Sequence, residues 1–245
     1  MNGDVSTMPP VRIGISSCLL GEHVRFDGNH KRDAFLVEVF GQHVTWVPVC
    51  PEVDMGLGVP RETMRLEQHG HEIRLVAPKT AADHTERLRT FAAQRLAALS
   101  QERLCGYILK KDSPSCGMER VRLYPTNGVP NRSGQGLFAA ALMQRFPHLP
   151  VEEEGRLQDP RLRENFVTRV FAYQRWGQMA EQKLTRAGLL RFHAQHKFLL
   201  VAHSQVGSRR VGHILAHPEQ FADEQAWAAA YLDGVTEVMR RTPTR

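Results

Sequence analysis

The strongest constraint on this chain is a rhythm. Between residues 11 and 153, short β-branched or apolar runs alternate with loops and stretches of helical period. Residues 11–16 (VRIGIS), 43–49 (HVTWVPV), 106–110 (GYILK) and 149–153 read as strands. Residues 85–103 place Leu88, Phe91, Ala92, Leu96 and Leu99 at helical spacing, and residues 34–40 and 136–146 read as further helices. Strands alternating with helices predict an α/β domain with a mainly parallel sheet. In such sheets ligands bind beyond the carboxyl ends of the strands. Cys18, Cys50 and Cys116 each stand shortly after a predicted strand, so this topology brings all three to one rim.

Composition limits what those cysteines can be doing. The chain has 245 residues, 42% hydrophobic and 24% charged, enough for one large domain or two small ones. No apolar run approaches the roughly 20 residues of a membrane span. The opening MNGDVSTMPP lacks the basic head and apolar stretch of a secretory leader. It is expected to be a disordered tail over residues 1–10, and the protein is expected in the cytoplasm. Structural disulfides are rare there, so the four cysteines read as free thiols, metal ligands or catalytic groups.

Three thiolates leave a tetrahedral metal one ligand short. Cys105 precedes the GYILK strand, at the end opposite Cys116. Five strand residues span roughly 17 Å, so Cys105 is expected to be a buried small hydrophobe rather than a fourth ligand. Three ligands with one open position describe a catalytic metal, and thiolates suit either zinc carrying a water or an iron–sulfur cluster with one free iron. The neighbours are of catalytic type: serines before Cys18, Pro51 and Glu52 after Cys50, and Ser113, Pro114, Ser115 and Gly117 around Cys116.

The runs ISSCLLGEHVRFDG, VPVCPEVDMGLGVPR and ILKKDSPSCG resemble the thiouracil desulfurase family over roughly residues 11 to 155. The run RFHAQHKFLLVAHS resembles a YbgA-type helical domain, here shorter at its C-terminus than usual, and the pairing is similar to that of tRNA 4-thiouridine desulfidases. The resemblance implies a [4Fe-4S] cluster held by Cys18, Cys50 and Cys116, with the fourth iron binding the substrate sulfur. It also implies hydrolysis of C=S to C=O without net electron transfer. On that reading Glu52 is the proton-transfer group. Ser113, and after it Ser115, orients substrate or water, and Arg25, Asp27 and Lys110 line the pocket. Thiolated tRNA is the expected partner. Free thiouracil, thiouridine or its monophosphate is the alternative substrate, and a non-catalytic RNA-binding module with a structural metal is the alternative of another class.

The expected domains are a catalytic α/β domain over residues 11–176 and a small all-helical domain over residues 177–245. Helical stretches are predicted from Asp159-Pro160 to about Trp176, over residues 184–203 and over residues 217–241. From Arg156 to His217 stand eleven Lys and Arg against three acids, a net +8 that exceeds the whole chain's +6. Such clustering predicts a footprint for phosphates. His193, His196 and His203 fall on one helix face and are expected at the surface or toward RNA. Leu189, Phe192, Phe198, Leu199 and Leu200 are expected to pack.

Overall fold

The computed structural model describes residues 10–125, 128–182 and 184–243. The tail expected over residues 1–10 therefore lies, apart from Pro10, outside the described residues. The chain forms two compact units, Met1–Arg145 and Phe146–Arg245.

In the first unit the elements follow in this order: β1 (Arg12–Ser16), β2 (Thr45–Val49), α1 (Pro51–Asp54), β3 (Arg65–His69), β4 (Glu72–Ala77), β5 (Ala82–Asp83), α2 (Thr85–Leu99), β6 (Leu104–Leu109), β7 (Val121–Pro125), β8 (Asn131–Gly134) and α3 (Leu137–Arg145). Strand β1 lies between β2 and β6 and runs parallel to both. Every residue of β6 is buried, the pattern of a central parallel strand covered on both faces. Ser16 stands opposite Val49, and Ile15 opposite Ile108. The three strands therefore end level, and the segments that follow them leave from one edge. Helix α2 buries Thr85, Leu88, Ala92, Leu96 and Leu99 along one stripe and packs against α3. Gly14 is glycine because the Tyr107 ring occupies its Cβ position, with the nearest ring atom at 2.1 Å. The parallel sheet and its helices agree with the sequence reading.

A second, mixed sheet in the order β5-β4-β3-β7-β8 was not expected. Its strands read RLEQH and EIRLVA, too charged to show a clear alternation. Leu66 and Leu75 face each other across the β3–β4 hairpin and are wholly buried, which is enough to set the register.

The second unit opens with β9 (Val151–Glu153) and continues with α4 (Pro160–Glu181), α5 (Arg186–His203), α6 (Gln205–Ala216) and α7 (Glu224–Arg240). Asp159 caps α4 by accepting from the amides of Arg161 and Leu162, and Pro160 fills the first helical position. The break expected between residues 176 and 177 falls inside α4. Trp176 is buried there against Phe192 and Tyr231, with ring centroids at 5.4 and 6.0 Å, so the helix is anchored where the sequence suggested an end. Helix α6 is hidden in the sequence because its two glycines weaken the helical signal. The helix expected over residues 217–241 starts only at Glu224, behind the Asp223 cap.

Two expectations about α5 are overturned. His196 and His203 are buried, each 2% exposed, and each sends Nδ1 to the carbonyl four residues earlier at 2.8 Å. His193 meets the Tyr231 hydroxyl at 3.1 Å. His196 and His203 are internal struts on the face turned toward the bundle core, and His193 stands half-buried beside them. Phe198, by contrast, is 84% exposed. The basic stretch is also partly committed to structure. Arg156 pairs with Glu152 at 2.6 Å, Arg210 pairs with Glu237, Arg163 donates to the Leu157 carbonyl, and burial pulls Arg169 below its usual basicity. No helix among the described residues is long and apolar enough to cross a membrane.

Candidate active site

Each of the three cysteines is set by a different local device at the ends of the parallel strands. Cys18 lies in the 3-10 turn Ser17–Leu20 that continues β1, and its carbonyl accepts from the Lys31 amide at 2.9 Å. Cys50 follows β2 directly and occupies the N-cap position of α1, where Pro51 takes the first helical position. The Asp54 carboxylate reaches back to accept from the Cys50 amide at 3.1 Å.

Cys116 belongs to the long loop after β6. The Ser113 hydroxyl oxygen accepts from the amides of Ser115 and Cys116 at 3.2 and 3.1 Å, and the Gly117 amide returns to the Ser113 carbonyl at 2.8 Å. Asp112 and Arg120 flank this turn in left-handed conformations, with φ of 58° and 56°. Gly136 packs on it so closely that a Cβ would stand 2.5 Å from the Ser115 carbonyl oxygen. Any side chain at residue 136 would therefore displace the Cys116 turn.

The three thiols line one cavity of about 350 Å3 with Glu52, Arg61, Ser113 and Lys110. Glu52 is held from both sides. Ser115 Oγ donates to its Oε1 at 2.9 Å, while Arg61 donates to Oε2 through Nε at 3.0 Å and through Nη2. Both partners are well buried: the Arg61 side chain is 9% exposed and Ser115 is wholly enclosed. A carboxylate fixed by an ion pair and a hydroxyl keeps one orientation and still has lone pairs for a further donor.

The structure separates the two serines. Ser113 lines the cavity, and its oxygen is engaged as an acceptor, which leaves the hydroxyl proton able to point inward. Ser115 lies behind Glu52 and spends its proton on that carboxylate. Arg25 and Lys110 line the cavity, the latter with Nζ donating to the Lys111 carbonyl at 3.0 Å. Asp27 does not line it. Its carboxylate accepts from the Asn29 amide at 3.1 Å and stands 3.5 Å from Arg25, so it shapes the turn that carries Arg25. Cys105 is buried in β6, away from the cavity. Arg61 was passed over in the sequence. The signal that could have found it is a cation nine residues after a pocket carboxylate, at the close of a Gly- and Pro-rich loop.

Burial pushes the Cys50 thiol up to about 11 and the enclosed Cys116 thiol well above its ordinary value, with Glu52 adding to the effect on each. Two neutral thiols in a dry wall ionise when a thiophilic cation takes the place of their protons. Among the described residues no three His, Cys, Asp or Glu side chains are grouped as a single metal ion requires. Three thiols lining one cavity are a donor set that fits an iron–sulfur cluster.

Comparison with known proteins points the same way. The family model of 2-thiouracil desulfurase matches residues 13–154. An uncharacterized protein of Bacillus subtilis (strain 168), YbbK, is 29% identical over 145 residues, which are 57% of this chain and 95% of that protein. Among solved structures, that of the [4Fe-4S]-dependent thiouracil desulfidase TudS superposes with a TM-score of 0.51 at 29% identity, covering 61% of this chain and 94% of the other. With the match reaching over more than half of its length, the chain belongs to the 2-thiouracil desulfurase family.

Proposed function

We propose that this protein is a [4Fe-4S]-dependent desulfidase that converts 4-thiouridine in tRNA to uridine. The observation that carries the chemistry is the set of three thiols and one doubly held carboxylate around a single cavity. Cys18, Cys50 and Cys116 would hold the cluster, which when bound supplies a thiophilic Lewis acid with one iron free of protein ligands.

The protein's own residues handle everything else. Water enters as the oxygen source, so C=S and water become C=O and hydrogen sulfide with no net electron transfer. Glu52 accepts the proton from that water at its carboxylate and returns it to the substrate side, while Arg61 and Ser115 keep the carboxylate aimed at the cavity. Ser113 offers its hydroxyl proton to the substrate or the water. Val24, Phe26, Met64 and Pro114 give the cavity an apolar wall suited to a pyrimidine ring, and Arg25 and Lys110 set a positive rim.

The tRNA part of the proposal is supported by the exposed cations of the second unit, among them Arg175, Arg186 and Arg191, and by the resemblance of its sequence to the helical domain of tRNA desulfidases. A second reading, desulfuration of free thiouracil or a thiouridine nucleotide, is favoured by the cavity itself, which lies wholly in the first unit.

The test is to purify the protein without oxygen, quantify iron and sulfide, and follow the thiouridine absorbance of thiolated tRNA and of thiouracil. Brown protein that bleaches the tRNA signal, with a rate that falls steeply as salt rises, is the expected outcome. Turnover of thiouracil with none of tRNA would select the second reading. Colourless protein inert toward both would refute the desulfidase assignment.

A further inference from the structure

The second unit carries a cleft of its own. The last turns of α4 and the first turns of α5 enclose about 700 Å3, open to solvent. Arg175 and Arg191 stand on its walls with the amides of Gln178, Gln182 and Gln195, and no described lining residue is a carboxylate. A cleft with two guanidinium groups and no acid favours an anion. Three glutamine amides, each both donor and acceptor, add the means to meet the polar edge of a base or a ribose.

Two details indicate a built site rather than a solvated face. Gln178, on the cleft wall, has an Nε2 shut off from solvent with no hydrogen-bond partner among the described residues, so the wall carries an unspent donor. Arg175 is also held in place. Its Nη1 donates to His196 Nε2 at 3.4 Å, and His196 donates its Nδ1 proton to the Phe192 carbonyl at 2.8 Å. That tautomer makes Nε2 the acceptor, and burial with Arg175 nearby lowers the basicity of the ring, keeping it neutral for this role. A buried neutral histidine braces an arginine without cancelling its charge.

We propose that this cleft holds one nucleotide of an RNA strand, with Arg175 and Arg191 on the phosphate and the glutamine amides on the base or ribose. The proposal rests on the tRNA reading of the enzyme and gives the helical unit a defined part in it.

The experiment uses the full chain with its cluster. Binding of an unmodified tRNA transcript is measured across a salt series for the wild type, for Arg175→Gln with Arg191→Gln, and for Gln178→Leu, with thiouracil desulfuration and thermal melting alongside. The double variant is expected to weaken tRNA binding about tenfold or more and to flatten the salt slope by about one for each phosphate it no longer neutralises. Melting and thiouracil turnover should stay as in the wild type. Gln178→Leu should weaken binding with the salt slope kept. Because Arg191 is exposed, Arg191→Gln alone serves if the double variant fails to fold. Unchanged affinity and slope in the folded variants would overturn the proposal. So would competition by inorganic phosphate as strong as that by a nucleotide, which would leave a simple anion site. A wild type that binds no tRNA but desulfurates thiouracil would overturn the cleft and the tRNA reading together. A wild type that binds tRNA but desulfurates neither thiolated tRNA nor thiouracil would instead refute the desulfidase assignment and leave the binding result to stand.

Discussion

Both units bury titratable and polar side chains, but they satisfy them in opposite ways. In the helical unit the partner is mostly local or carbonyl: His196 and His203 each return to the carbonyl one turn back, and Asn165 donates to the carbonyls of Met239 and Arg241 at 3.2 and 3.0 Å. In the α/β unit Glu52 draws Ser115 from 63 positions away and Arg61 across a loop, and its remaining capacity faces a cavity. The difference teaches how to tell a strut from a reactive group. A strut has its hydrogen bonds completed by the protein, whereas a reactive group is held from behind and left incomplete in front.

That contrast breaks if the cysteines are replaceable. Cys18→Ala, Cys50→Ala or Cys116→Ala should each remove the cluster's visible absorbance and take desulfuration to background, and full activity in any one would exclude that residue as a ligand. Glu52→Gln should lower kcat about 10²- to 10⁴-fold, the range of a lost proton-transfer group, with iron content unchanged. Arg61→Ala acts through Glu52, so its smaller fall in kcat, on the order of tenfold, should come with a displaced pH–rate profile.

The struts of the helical unit should answer in stability alone. Asn165→Ala leaves the buried Met239 carbonyl, the Arg241 carbonyl and His203 without their donor, a loss of about 1–3 kcal/mol visible in denaturant melts, with thiouracil turnover untouched. An effect of similar size concerns metal-free protein. Cys50 is raised to about 11 in the fold against 9.0 for an ordinary thiol. The folded state therefore keeps a proton that the unfolded state gives up, so stability is full below about pH 9 and declines as pH rises toward 11. The loss should be on the order of 2 kcal/mol, and melts in which metal-free protein is equally stable at pH 8 and pH 10.5 would show that Cys50 lies in a wetter place.

The sequence displays the parallel sheet because β1 and β6 are buried on both faces and carry near-continuous apolar runs, as LCGYIL does. Their shared edge follows from that topology, and with it the meeting of Cys18, Cys50 and Cys116. The second sheet is nearly illegible because β3 buries only Leu66 while β4 buries Leu75, Val76 and Ala77 in succession, so neither strand alternates. The histidines of α5 misled for a related reason. Periodicity gives a shared face but not which way the face turns, and the deciding partners, Tyr231 and Asn165, come from other helices. Arg61 was invisible as a role because its pairing with Glu52 depends on how the loop between them folds back.

The turn that presents Cys116 is closed by protein atoms alone: the Ser113 oxygen takes two amides, Gly117 returns to the Ser113 carbonyl, and Gly136 presses on the outside. A thiol mounted this way has its posture set by the fold itself. Changes elsewhere in the cavity can alter what Cys116 meets without altering where it stands, so the turn acts as a fixed reference point for the rest of the site.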